Sequence, residues 1–262
     1  MADILDGIVL RVREGLRAGV TDLARLREEA AAHRPRDFRA AVEAGPRPAL
    51  IAEFKRRSPS KGDLRPGADV ATYCRAYAAA GASAVSILTN PDFGGDLGDL
   101  RAARRAVEVP LLRKEFVIDP VQVLEAAAAG ADCVLLIARI ASAAQLLELA
   151  EAARALGLQT LVEVYEEAEL GAALAAGPDL LGVNSRDLAT FAVDTSKFSR
   201  VAAALPTGLP LVAESGVTSR AQAVAAAAAG ARAVLVGEAL MVAADPAPAA
   251  RELLGSARLV AS

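Results

Sequence analysis

The sequence has 262 residues, 54% of them apolar, 23% charged and 3% aromatic, with a formal net charge of −3. That is chain enough for one large core, whereas the charge balance and the absence of tryptophan exclude a basic, base-stacking nucleic-acid surface. No apolar run reaches the length of a membrane span and no signal peptide is legible, so a cytoplasmic protein with no membrane partner is expected.

Residues 1–45 come first. Ile4, Leu5, Ile8, Val9, Val12 and Leu16 recur at helical spacing. They predict an N-terminal helical extension, placed either to plug the bottom of the main domain or to cover its top. His33 is the one histidine, set in a charged, Ala-rich stretch that reads as surface or structural. One histidine cannot build a Ser-His-Asp triad or a multi-histidine metal site, so no metal is expected. Acid–base chemistry then falls to Glu, Asp, Lys or Cys. Cys74 and Cys133 are isolated thiols without metal or redox spacing and read as buried structural residues.

A first strand, ALIAEF, is predicted at 49–54, and after it a phrase repeats. AAGASAVSIL starts at Ala79, AAGADCVLLI at Ala128, AAGPDLLGVN at Ala175 and AAGARAVLVG at Ala228. Each phrase is an Ala-rich helix end, a glycine fit to cap it, and a short apolar strand. PLLRKEF (110–116), QTLVEVY (159–165) and PLVAESG (210–216) supply three more strands, with amphipathic helices between. Eight strands result, spaced by roughly 26 residues, the length of a strand, a helix and two loops. Strands apolar on both faces alternating with helices indicate a parallel sheet. Eight such units predict a closed (β/α)8 TIM barrel, one domain over 1–262 with 1–45 as its extension. An open doubly wound sheet is the alternative, but no G-x-G-x-x-G follows the first strand.

In such barrels chemistry sits at the C-terminal strand ends. Strand 1 offers Glu53 and Lys55, which share a face because they are two apart, then Ser58 and Pro59. Strand 2 offers Thr89 and Asn90, with Phe93 beyond; strand 3 offers Lys114 and Phe116; strand 5 offers Glu163. Strand 6 offers Asn184 and Arg186, strand 7 offers Glu214, Ser215 and Gly216, and strand 8 offers Gly237 and Glu238. A ring of mutually satisfied salt bridges is one reading of these charges. The other is a set of groups whose pKa values are pushed apart for acid–base work. Gly216 and Gly237, on adjacent strands, favour a phosphate site built from backbone N–H groups.

IAEFKRRSPSKGD, ILTNPDFGGDLGDL, LLRKEFVIDPVQV, LVEVY, GVNSRDLATF, VAESGV and LVGEALM together resemble the indole-3-glycerol phosphate synthase family along essentially the whole chain. Glu115 stands where that family usually has Asp. The resemblance implies a small-molecule substrate joining a phosphosugar to anthranilate, 1-(2-carboxyphenylamino)-1-deoxyribulose 5-phosphate. It is converted to indole-3-glycerol phosphate, carbon dioxide and water, with no cofactor. It implies Lys114 as general acid and Glu163 as general base, with Glu53 and Lys55 assisting and Lys55 also facing the substrate carboxylate. Which lysine serves which step stays open. Ser58 and Pro59 would shape the anthranilate side, Phe93, Phe116 and Leu135 the apolar ring pocket. Asn184 and Arg186 would hold the mouth, Glu214 would bind sugar hydroxyls, and Ser215, Gly216 and Gly237 would hold phosphate, with Glu238 beside them. A monomer or weak homo-oligomer is expected. The rivals are a phosphosugar isomerase, an aldolase using Lys114 as a Schiff-base nucleophile, and a phosphate-ligand binder without turnover.

Overall fold

The computed structural model describes residues 4–17, 19, 22–58, 61–186, 194, 196–205 and 208–255. Eight strands close into a parallel barrel: β1 (Ala49–Phe54), β2 (Ala84–Leu88), β3 (Leu111–Lys114), β4 (Cys133–Ile137), β5 (Gln159–Val164), β6 (Leu180–Asn184), β7 (Leu211–Glu214) and β8 (Ala233–Val236). Each pairs with its neighbours in sequence, and β1 closes on β8 with Ala49 opposite Ala233. The prediction of a (β/α)8 barrel therefore holds.

Among the described residues, three helices precede the barrel: α1 (Ile4–Arg17), α2 (Leu23–Ala32) and α3 (Phe38–Ala44). Nine more described helices belong to it: α4 (Val70–Ala79), α5 (Leu97–Ala106), α6 (Pro120–Ala128), α7 (Ala143–Ala155), α8 (Leu170–Ala175), α9 (Ser196–Ala203), α10 (Arg220–Ala228), α11 (Glu238–Val242) and α12 (Pro246–Leu254). Many start on a short polar side chain that accepts from a free backbone N–H, as Asp69, Asp96, Asp119, Ser142 and Ser219 do. The repeat glycines Gly81, Gly130, Gly177 and Gly230 follow their helices at positive φ, 66° to 108°. The predicted caps are thus real, and a Cβ would be strained there.

Two apolar clusters follow from the alternation of the strands. Leu50, Ala52 and Phe54 face the helices and join the outer cluster. Ala49 and Ile51 face the barrel axis with Leu112, Leu135, Leu161, Leu180, Val212 and Leu235. Continuing the inward positions upward replaces apolar side chains with Glu53, Lys114, Glu163 and Glu214. The predicted run PLLRKEF pairs over Leu111–Lys114 and PLVAESG over Leu211–Glu214, so both strands are shorter than the sequence suggests.

The extension does both jobs that the sequence left open. From α3, Phe38 and Val42 join the inner cluster with Ala49, Ala84 and Ala233, which start or nearly start their strands; Arg39 N–H donates to Gln159 Oε1 at 2.8 Å. That is the bottom. From α1, Leu5, Ile8 and Val9 join the same cluster as Phe116, Ile118 and Ile137, and Arg11 pairs with Asp92 at 2.7 Å beyond β2. That is the top. His33 Nε2 donates to the Ala131 carbonyl at 2.8 Å, a structural role. Cys74 and Cys133 are free and buried, and burial pushes the Cys74 thiol up to about 12. Among the described residues no helix is long and apolar enough to cross a membrane.

Candidate active site

A cavity of about 500 Å³ opens at the C-terminal ends of the strands. Its floor is charged because the last inward residue of several strands is ionisable. Lys114 Nζ lies 3.2 Å from Glu163 Oε2 and 3.6 Å from Glu214 Oε2. Lys55 Nζ lies 2.9 Å from Glu53 Oε1. Glu53, Glu163 and Glu214 are all buried. Two glycines make room for them. A Cβ on Gly182 would meet Glu214 Oε1, and one on Gly237 would lie 2.3 Å from Glu53 Oε1. Gly237 is therefore needed for packing.

The electrostatics separate the groups. Burial pulls the Lys114 pKa down, but the charges of Glu163, Glu214 and Glu53 outweigh it and leave the ammonium well above its ordinary value. Burial pushes Glu163 up, yet the Lys114 charge and nearby hydrogen bonds hold it below the usual carboxylate value. Burial and then the Glu163 charge drive Glu214 well above that value. Among the described residues neither Glu214 oxygen accepts a hydrogen bond. The surroundings thus favour the ionised form of Glu163, the protonated form of Glu214 and the charged form of Lys114. This arrangement stores both an acid and a base near neutral pH. A Schiff-base nucleophile would need a neutral amine, which the Glu163 carboxylate beside it opposes.

One wall is apolar. Leu88, Phe93, Phe116, Leu135 and Ile137 line it, with the Phe93 and Phe116 rings 6.1 Å apart between centroids. At the opposite side Ser215 takes φ 62° and Gly216 φ 80°. A non-glycine residue in the left-handed region costs about 1–3 kcal/mol and is retained where the turn has work to do. Lys61 pairs with Glu238 at 2.7 Å, and Arg186 Nη2 approaches the same carboxylate at 3.8 Å.

A model of the indole-3-glycerol phosphate synthase family matches residues 5–253. The chain belongs to that family. It is 48% identical over 260 residues to the indole-3-glycerol phosphate synthase of Nocardioides sp. (strain JS614), covering 96% of this chain and 98% of that one. It is 46% identical over 259 residues to indole-3-glycerol phosphate synthase 2 of Streptomyces coelicolor, covering 97% of this chain and 100% of that one. Among solved structures, thiamine phosphate pyrophosphorylase from Pyrococcus furiosus aligns with a TM-score of 0.62 at 20% identity, over 83% of this chain and 96% of that one. For 3-hexulose-6-phosphate synthase from Salmonella typhimurium the TM-score is 0.60 at 17% identity, over 79% and 97%. These two speak to the fold alone.

As a member of the indole-3-glycerol phosphate synthase family, the chain brings nearly all its expected site residues to one cavity. Glu53, Lys55, Ser58, Phe93, Lys114, Phe116, Leu135 and Glu163 line it. So do Asn184, Arg186, Glu214, Ser215, Gly216, Gly237 and Glu238. Pro59 lies outside the described residues, as does the Asp187–Phe191 part of the GVNSRDLATF motif. Sequence reasoning noted Glu115 only as a departure from the family's usual Asp and did not single out Tyr165, yet both also line the cavity. Glu115 accepts from Thr89 Oγ1 at 2.8 Å, Asn90 Nδ2 at 2.7 Å and the Phe116 N–H at 2.9 Å, which turns the chain out of β3 just after Lys114. Tyr165 Oη donates to Glu163 Oε1 at 2.5 Å. Its signal was its spacing, two residues past Glu163 and so on the same face.

Proposed function

We infer that this protein catalyses the indole-3-glycerol phosphate synthase reaction. The substrate 1-(2-carboxyphenylamino)-1-deoxyribulose 5-phosphate loses carbon dioxide and water as its ring closes. The observation that carries the reading is the Lys114 ammonium held between Glu163 and Glu214 on the cavity floor.

Ring closure begins when the carboxylate-bearing ring carbon attacks the ketone carbon of the sugar. Negative charge develops on the ketone oxygen, and Lys114, held protonated, supplies the proton as general acid. The bond to the carboxylate then breaks, carbon dioxide leaves, and the electron pair restores the aromatic ring. Lys55 lies where its charge can hold that carboxylate until the ring has closed, and Glu53 fixes Lys55 in place. Dehydration follows. Glu163, held ionised, takes the proton, and the former ketone oxygen leaves as water once protonated by a lysine. The apolar wall of Phe93, Phe116 and Leu135 takes the anthranilate ring, with Ser58 at its edge. Glu214 takes the sugar hydroxyls, and the Ser215–Gly216 turn and Gly237 take the phosphate, flanked by Arg186 and Glu238. Asn184 holds the mouth through hydrogen bonds.

The expected form is a monomer or weak homo-oligomer acting as one domain. A substrate carrying both a phosphate and a carboxylate crosses membranes poorly, which supports a cytoplasmic setting.

The test is a fluorescence assay for indole-3-glycerol phosphate with wild type and Lys114→Ala. Product from wild type, with a fall of about 10²–10⁴-fold in the variant, is the expected result for loss of a general acid. Product from both moves the acid role to another residue. No product from a folded wild type that still binds phosphate ligands sinks the synthase reading.

A further inference from the structure

A general base works only if its oxygen points at the proton it must take. The two oxygens of Glu163 are held in different ways. Oε2 faces the Lys114 ammonium at 3.2 Å. Oε1 accepts the 2.5 Å hydrogen bond from Tyr165 Oη. That phenol oxygen in turn accepts from Asn184 Nδ2 at 3.2 Å, and Asn184 Oδ1 accepts from the Arg186 backbone N–H at 3.0 Å. An amide nitrogen only donates, so the single phenol proton is committed to Glu163.

The tyrosine ring is itself clamped. It is 1% exposed. The Arg139 guanidinium lies over its face, 4.4 Å from the centroid. Glu169 ties the two together, accepting from Arg139 Nε at 2.7 Å and from the Tyr165 backbone N–H at 2.6 Å. Burial, then the Glu163 charge, push the phenol well above its ordinary pKa, so it remains a donor throughout the neutral range.

We propose that Tyr165 is a positioning residue for the proton transfers: its hydroxyl fixes the Glu163 carboxylate from the side opposite Lys114 and links it to Asn184 and the loop after β6. The proposal rests on the reading of Glu163 as the base. The chain Glu163–Tyr165–Asn184 joins two adjacent strands by side chains alone, so the base is oriented from β6 as well as from its own strand β5. Glu163 would keep its Lys114 contact without Tyr165, but its carboxylate plane would be free to turn.

Tyr165→Phe removes the hydroxyl and keeps the ring. Product formation by wild type, Tyr165→Phe and Glu163→Gln is followed by fluorescence across pH, with melting temperatures measured alongside. Tyr165→Phe is expected to lower kcat by about 10- to 100-fold, the size of a hydrogen bond to a charged group, with KM little changed. It is also expected to move the acidic limb of the kcat/KM profile to higher pH, because the ionised form of Glu163 has lost a donor. An acidic limb that stays in place while the melting temperature falls means packing alone and overturns the proposal. Wild-type kcat in Tyr165→Phe beside an inactive Glu163→Gln overturns it too, and leaves the base assignment standing. Full activity in Glu163→Gln overturns the base assignment, and the proposal with it.

Discussion

Gly182 on β6 leaves open the space that the Glu214 carboxylate of β7 fills: a Cβ there would lie 2.0 Å from Glu214 Oε1. The two strands pair side by side, with Asn184 opposite Glu214. Gly182→Ala must therefore push Glu214 off its position beside Lys114. The expected cost is about 1–3 kcal/mol, as for other overpacked interiors, and kcat should fall with it. Thermal melting and the fluorescence assay on the same preparation check both.

Glu214 should weaken the fold at neutral pH. Its ordinary pKa is 4.5, and folding raises it through burial and then the Glu163 charge. A group raised on folding binds its proton more tightly in the folded state, so its contribution is fully present below the unfolded value. It is lost as pH rises through the folded one. Glu214→Gln, neutral at every pH, removes that slope. Its melting temperature should exceed that of wild type at neutral pH, and the gap should close as pH falls below the ordinary carboxylate range. KM for the substrate should rise, since the sugar loses its acceptor. A melting-temperature gap that widens toward acid would refute this assignment.

Glu238 pairs with Lys61 and faces Arg186. On the proposed reading, an incoming phosphate would meet that carboxylate and compete with it for both cations. Glu238→Gln should lower KM by about two- to five-fold, the worth of a partly exposed ion pair, and leave kcat unchanged. Raising the ionic strength should shrink the difference. Initial rates at low and high salt provide the check.

Asp132, fully buried at the bottom of the barrel, accepts from the Leu111 N–H at 2.7 Å, the Arg36 N–H at 2.8 Å and Arg104 Nη1 at 2.8 Å. Truncation strands a buried guanidinium and two N–H groups. Asp132→Ala should destabilise by about 3–5 kcal/mol. Because it lies at the end opposite the cavity, kcat measured well below the melting temperature should stay near wild type. Chemical denaturation and kinetics together separate the two effects.

The barrel was legible because its repeat is local. AAG followed by a short apolar run marks a helix end and a strand four times over, and β1 was read to its true limits, Ala49–Phe54. The strand-end rule then found Lys114, Glu163 and Glu214. What it missed are relations between strands. Gly182 and Gly237 are glycine because of carboxylates on neighbouring strands, which no linear spacing reveals. PLLRKEF reads as a long strand, but the three bonds to Glu115 end the ladder early, and those donors lie partly on the loop after β2. The rule that put Glu53 and Lys55 on one face applies equally to Glu163 and Tyr165, but a tyrosine in an apolar run passes for core. The apolar stripe of α1 is the same whichever end of a barrel it covers, so only packing could assign α1 to the top and α3 to the bottom.

The closure of β1 on β8 sets an order of events during synthesis. The edge of β1 that meets β8 has no partner until Ala233 and its neighbours have been made. The extension waits as well, because Arg36 docks on Asp132 and Arg39 on Gln159 and the Gly208 carbonyl. The first strand to leave the ribosome is thus among the last to be paired on both edges. A nascent chain halted before residue 233 carries an open parallel sheet with one edge of β1 unpaired, the state in which a barrel is most exposed to aggregation and most in need of a chaperone.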